Sequence, residues 1–237
     1  MNTNPTVVLV HGAFAESASW NAVIGQLDDH GIHSIAAPNE LRSVAGDAAV
    51  VASLLAAIDG PVVLVGHSYG GAVITNSTRD TSRVQALVYV AGFAPDTGES
   101  IGELSTRLPG STLGDTLMTV GLPDGSSDLY IKPELFHQQF CADVPADVAM
   151  LMAATQRPLR DVTLTDGSGA PAWKDLPSWF VIPELDRNIP AAVHRLMAER
   201  AHAIDTIEVA GSSHAVAVSH PDIVADTIRA AVKHVRQ

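Results

Sequence analysis

Val62-Val63-Leu64-Val65-Gly66-His67-Ser68-Tyr69-Gly70-Gly71 is the stretch on which the reading of this chain turns. Four consecutive apolar, mostly β-branched residues read as a strand buried on both faces, and the pattern after Tyr69 is helical. Between them stands G-x-S-x-G, in the strand-to-helix context that the motif requires. Such a turn holds the serine in a strained backbone conformation with its hydroxyl presented, and the flanking glycines let strand and helix approach closely. The alternative is a Gly-rich turn that merely packs a helix on a sheet.

Working outward, the same alternation recurs. Residues 6–10 and 33–36 read as strands, and so do 62–66 and 85–91. Helical spacing covers 20–29, with Ser19 as the expected N-cap, then 46–59 and 69–79. After an interruption the pattern resumes, with strands at 179–182 and 206–210 and helices at 190–202 and 221–235. Buried strands separated by helices predict a parallel sheet with crossover helices. Between Ala94 and Pro177 there is little strand signal, and helical patches appear only at 132–140 and 145–155. A break of about 80 residues is too long for an idle loop. The expected division is therefore a core of residues 1–95 and 178–237 and an insertion of residues 96–177.

A serine hydroxyl needs a base. Of the 10 histidines, His214 follows the last strand and falls on the sheet edge that carries Ser68. His220, His202, His194 and His234 lie in or beside helices and read as surface groups. His30 and His33 flank a turn, His137 sits in the insertion, and His67 cannot easily turn back onto its neighbour's hydroxyl. The base needs an acid to orient it. Asp186, just after the penultimate strand, is the leading candidate, with Asp96 as runner-up and Glu184 as a further rival. The oxyanion of a tetrahedral intermediate needs two donors. The backbone N–H groups of Tyr69 and of Ala13, in the turn after the first strand, stand in the right places.

The order Ser68, Asp186, His214, together with Val8-Leu9-Val10-His11-Gly12-Ala13, Ala91-Gly92-Phe93-Ala94-Pro95-Asp96, Gln156-Arg157-Pro158 and Glu184-Leu185-Asp186-Arg187-Asn188-Ile189-Pro190, resembles the α/β-hydrolase fold. Within it the chain is similar to the branch of plant methylesterases and hydroxynitrile lyases and their bacterial esterase relatives. The resemblance implies an α/β fold of about six mainly parallel strands flanked by helices, with residues 96–177 as a helical cap. It implies that the family's first two strands are absent. The lyases carry Thr after the first His and Lys after the catalytic His, where this chain has Gly12 and Ala215.

The implied function is a serine hydrolase of small to medium carboxylic esters that works through an acyl-enzyme and needs no cofactor and no metal. Alternatives are cofactor-free perhydrolase or haloperoxidase-type activity, hydroxynitrile lyase activity, and a non-catalytic ligand receptor. Pocket walls are expected from Phe14, Phe93, Phe140 and Trp173, with Tyr69, Leu135, Phe136 and Met150 beside them.

Composition narrows the partners. The 237 residues are 46 % hydrophobic and 17 % charged, with a net charge of −12. That is a globular composition, and its acidity disfavours nucleic acid, which demands a basic face. No apolar run approaches the roughly 18 residues of a membrane span. The N-terminus lacks the basic stretch of a signal peptide. The single cysteine, Cys141, reads as a packed small hydrophobe and fits a reducing, cytoplasmic setting. The expected partner is a small-molecule ester, and the expected state is a monomer or homodimer.

Overall fold

The computed structural model describes residues 4–78 and 82–237. Chain order runs β1 (Thr6–Val10), α1 (Asn21–Asp29), β2 (Ser34–Ala37), α2 (Val44–Ala56), β3 (Val62–His67), α3 (Tyr69–Asn76) and β4 (Val84–Val90). It continues with α4 (Ile101–Thr106), α5 (Leu113–Thr116), β5 (Leu117–Gly121), β6 (Ser127–Ile131), α6 (Pro133–Phe140), α7 (Ala146–Thr155) and β7 (Leu159–Arg160). Last come β8 (Ser178–Pro183), α8 (Ala191–Arg200), β9 (Asp205–Val209), α9 (Val216–Ser219) and α10 (Pro221–Val235). The helix expected at 69–79 ends at Asn76, and Arg79 lies outside the described residues.

Six strands form the main sheet in the order β2-β1-β3-β4-β8-β9, and every pairing in it is parallel. Continuous apolar strands are buried on both faces because alternate side chains serve opposite layers. Val8, Val10 and Leu64 face α2, α3 and α8, while Val7, Leu9, Val63 and Val65 face α1 and α10. The chain runs from β1 to one side and returns to the other, so β1 and β3 flank the switch point, where open α/β sheets place their ligands. The turn with Ala13 and the turn with Ser68 both leave the carboxyl ends of these two neighbours.

Two local expectations are corrected. Ser19 does not cap α1. It sits in a 3-10 turn, Ser17–Trp20, where its hydroxyl donates to the Glu16 carbonyl at 2.7 Å, and Trp20 occupies the cap position. The insertion is not purely helical, for β5, β6 and β7 make an antiparallel sheet. These strands are short, and β5 is largely exposed, so no continuous apolar run announces them. Arg42 ties this sheet to the core, donating to Asp128 Oδ1 at 2.5 Å and to the Pro158 carbonyl at 2.8 Å. Among the described residues no helix is long and apolar enough to cross a membrane.

Candidate active site

Ser68 has φ 54° and ψ −122°, a conformation that L-residues hold only when the surroundings enforce it. Three close approaches do so. A Cβ on Gly66 would meet the Gly70 carbonyl oxygen at 2.5 Å, one on Gly70 the Val10 oxygen at 2.4 Å, and one on Gly71 the Phe93 oxygen at 2.4 Å. Ser68 anchors its own turn, its carbonyl accepting from Gly71 at 2.9 Å and from Phe93 at 3.0 Å. Its side chain is buried, with 7 % of the residue exposed.

Asp186 stands in the loop after β8 and His214 in the loop after β9. His214 Nδ1 lies 2.7 Å from Asp186 Oδ2. The other carboxylate oxygen accepts from the backbone N–H groups of Asn188 at 2.8 Å and Ile189 at 3.0 Å. Burial opposes ionisation of Asp186, but the charge interaction and hydrogen bonds with His214 and His194 outweigh it and hold the carboxyl well below its usual range. Phe140 packs edge-on against the His214 ring at 5.0 Å and His67 lies 4.8 Å away, so the imidazole is clamped. His214 Nε2 is buried and has no hydrogen-bond partner among the described residues. It makes no bond to Ser68 in this conformation.

The N–H groups of Ala13 and Tyr69 donate to no other described group, whereas that of Phe14 is taken by the Arg157 carbonyl at 3.0 Å. Tyr69 is fixed from its far end, for its hydroxyl donates to Asp47 Oδ2 at 2.7 Å. Two further histidines support the base of the site. Burial pushes His11 down to about 4, against the bond between its Nδ1 and the Gly12 carbonyl. Burial, reinforced by the neighbouring His214, pushes His67 down to about 3. A neutral His67 bonds the His214 carbonyl at 3.1 Å.

Beside Ser68 lies a cavity of about 30 Å³, lined by Ala13, Phe14, Tyr69, Phe93, Asn188 and Ile189 from the core and by Ile101, Ser105, Leu113, Leu159 and Leu164 from the insertion. A strained serine at the switch point, a carboxylate-bound histidine and two unengaged N–H groups meet at one end of a parallel sheet. A model of the alpha/beta hydrolase family matches residues 7–227. The chain belongs to that family.

This alpha/beta hydrolase is 30 % identical over 182 residues to the alpha/beta hydrolase nvfD of Aspergillus novofumigatus, covering 71 % of this chain and 68 % of that one. It is 25 % identical over 244 residues to the pyrethroid hydrolase of Sphingobium wenxiniae, covering 94 % and 85 %. Among solved structures it resembles polyneuridine aldehyde esterase with a TM-score of 0.83, at 17 % identity and covering 96 % and 99 % of the two chains.

Several expected residues of the hydrolase stand elsewhere. Trp173 is away from the cavity, its indole donating to the Pro95 carbonyl at 3.0 Å and its ring packed by Arg200 and Lys174. Met150 is 60 % exposed, and Leu135 does not reach the cavity. Phe140 contacts His214 rather than the cavity, with Phe136 stacked behind it. The rival acids are engaged elsewhere: Asp96 pairs with Lys174 at 2.6 Å, and Glu184 accepts from the Gly211 N–H at 2.7 Å.

His194 is the main correction. It is 1 % exposed, and its Nε2 lies 3.1 Å from the Asp186 oxygen that holds His214. The signal was present in the spacing, since positions 194, 197 and 198 form one buried face of α8 that Ala201 continues at its C-cap.

Proposed function

We propose that this protein hydrolyses small carboxylic esters through an acyl-enzyme on Ser68. Ser68 Oγ attacks the ester carbonyl, and its proton passes to His214 Nε2. The carbonyl π pair moves to oxygen, where the N–H groups of Ala13 and Tyr69 stabilise the negative charge. Collapse expels the alcohol, which takes the proton from His214. Water, deprotonated by the same nitrogen, then releases the acid and restores Ser68. Asp186 fixes the tautomer of His214 and stabilises its imidazolium. Residues 96–177 serve as the cap, and the lining side chains Ile101, Leu113 and Leu159 support that role.

The observation that carries this reading is the 2.7 Å bond from His214 to Asp186, with Nε2 left unengaged on the edge that presents Ser68. The relative named as a pyrethroid hydrolase and the structural neighbour named polyneuridine aldehyde esterase support it. The lyase alternative fits poorly. A Cβ at Gly12 would lie 2.5 Å from Ser68 Cβ, so the lyases' threonine has no room, and Ala215 offers no charge to a leaving cyanide. Hydrolysis of p-nitrophenyl acetate, butyrate and octanoate, measured beside Ser68→Ala, tests the proposal. The small cavity predicts faster turnover of the two short esters and loss of turnover in the variant. Equal rates in wild type and variant would overturn it.

A further inference from the structure

Besides Ser68 itself, the polar side chains on the wall of its cavity are Tyr69, Ser105 and Asn188. Tyr69, although on the wall, spends its hydroxyl on Asp47. Ser105 donates its proton to the Gly102 carbonyl at 2.9 Å. Asn188 is different. It is 3 % exposed, and its Oδ1 accepts from Gln139 Nε2 at 2.8 Å.

The orientation of both amides follows from their neighbours. Gln139 Nε2 also faces the Arg187 carbonyl at 3.0 Å, and a carbonyl can only accept. Gln139 must therefore turn its nitrogen to residues 187 and 188, and its Oε1 receives the Thr112 hydroxyl at 2.9 Å. That in turn makes the Asn188 oxygen the acceptor, so its NH2 is the other end of the amide. Those two N–H donors meet no described group. Asn188 Nδ2 is not sealed away as His214 Nε2 is, so its donors stand open to a bound molecule, and a second amide is committed to holding this one in place.

We propose that Asn188 is a substrate-recognition residue, and that its NH2 donates to an oxygen acceptor carried on the acyl group of the ester. This rests on the reading of Ser68 as the nucleophile. The preferred substrate is then an ester with a short, mainly apolar acyl chain that bears an ether, hydroxyl or carbonyl oxygen. A plain alkanoate fills the same space but leaves the amide unpaired, and a site built around one polar contact discriminates against the analogue lacking it.

The test uses p-nitrophenyl methoxyacetate and p-nitrophenyl butyrate, which have equal chain length and differ by an oxygen in place of a methylene. The quantity read is the kcat/KM ratio of the pair within one protein, which does not depend on how much of it is folded. In wild type this ratio, divided by the same ratio for hydroxide-catalysed hydrolysis, is expected to exceed one by about tenfold. In Asn188→Leu and Asn188→Ala it is expected to fall towards one. A wild-type ratio equal to that for hydroxide, or one unchanged in both variants, would overturn the proposal while Ser68-dependent butyrate turnover left the esterase standing. Turnover of both esters that survives Ser68→Ala would overturn both.

Discussion

His194 donates to Asp186 Oδ2 at 3.1 Å, on the same oxygen that His214 approaches at 2.7 Å. With the backbone donors of Asn188 and Ile189 on Oδ1, the buried carboxylate has four partners, and its orientation is over-determined. Bonds to charged acceptors are worth about 1.5–3 kcal/mol. His194→Leu is expected to lower kcat by about tenfold with KM little changed, because His194 acts through Asp186 and not on substrate. His194→Gln, which restores a donor, should recover part of the loss. Steady-state kinetics of both variants decides it, and an unaltered kcat in the Leu variant would show the contact to be idle.

Stability should fall on mild acidification. His11 and His67 stay neutral in the fold down to about 4 and about 3, whereas the unfolded chain protonates them near the ordinary imidazole value of 6.5. Between those limits the unfolded state binds more protons, so stability is lost as pH falls below about 6.5, by about 1.4 kcal/mol per pH unit for each group. Asp186 adds to the loss lower down, since its depressed carboxyl remains ionised in the fold after the unfolded one protonates. Urea midpoints measured from about pH 7 to about pH 5 should decline. A flat profile would mean that the two imidazoles are hydrated in solution.

Tyr69→Phe removes the bond to Asp47, a buried carboxyl that burial already pushes upward and that Tyr69 and the Arg42 N–H hold down. Leaving that acceptor short of a donor should cost about 1–3 kcal/mol in denaturant unfolding. Because the Tyr69 N–H is a candidate oxyanion donor, kcat should fall as well. A stability change well under that range would place water at Asp47.

Gly12→Ala should be far more damaging than its size suggests. The new Cβ would lie 2.5 Å from Ser68 Cβ and 2.9 Å from the His67 carbonyl oxygen, so either the turn that carries Ala13 or Ser68 must move. Displacements near 1 Å can cost about a hundredfold in rate. Gly114, where an added Cβ would meet nothing within 4 Å outside its own helix, is the control, and Gly114→Ala should leave activity as it is.

The parallel sheet was legible because its strands are buried on both faces and read as unbroken apolar runs, as Val62–His67 does. Ser68, Asp186 and His214 were legible because the ends of β3, β8 and β9 bring them to one edge. The second sheet was missed, although Pro123-Asp124-Gly125 between β5 and β6 is a turn signal, with Gly125 at φ 85° and its N–H on the Leu122 carbonyl at 3.0 Å. Polar partners of the site escaped for another reason. Asp47, Gln139 and Asn188 reach their partners through tertiary geometry, and no spacing in the chain announces it.

Covalent capture of the nucleophile tests the central claim most directly. Treatment with a fluorophosphonate, followed by intact-protein and peptide mass measurement, should show a single adduct on Ser68 that accumulates in step with the loss of ester turnover. Full turnover in protein already labelled at Ser68, or inactivation with the adduct on another residue, would contradict the account.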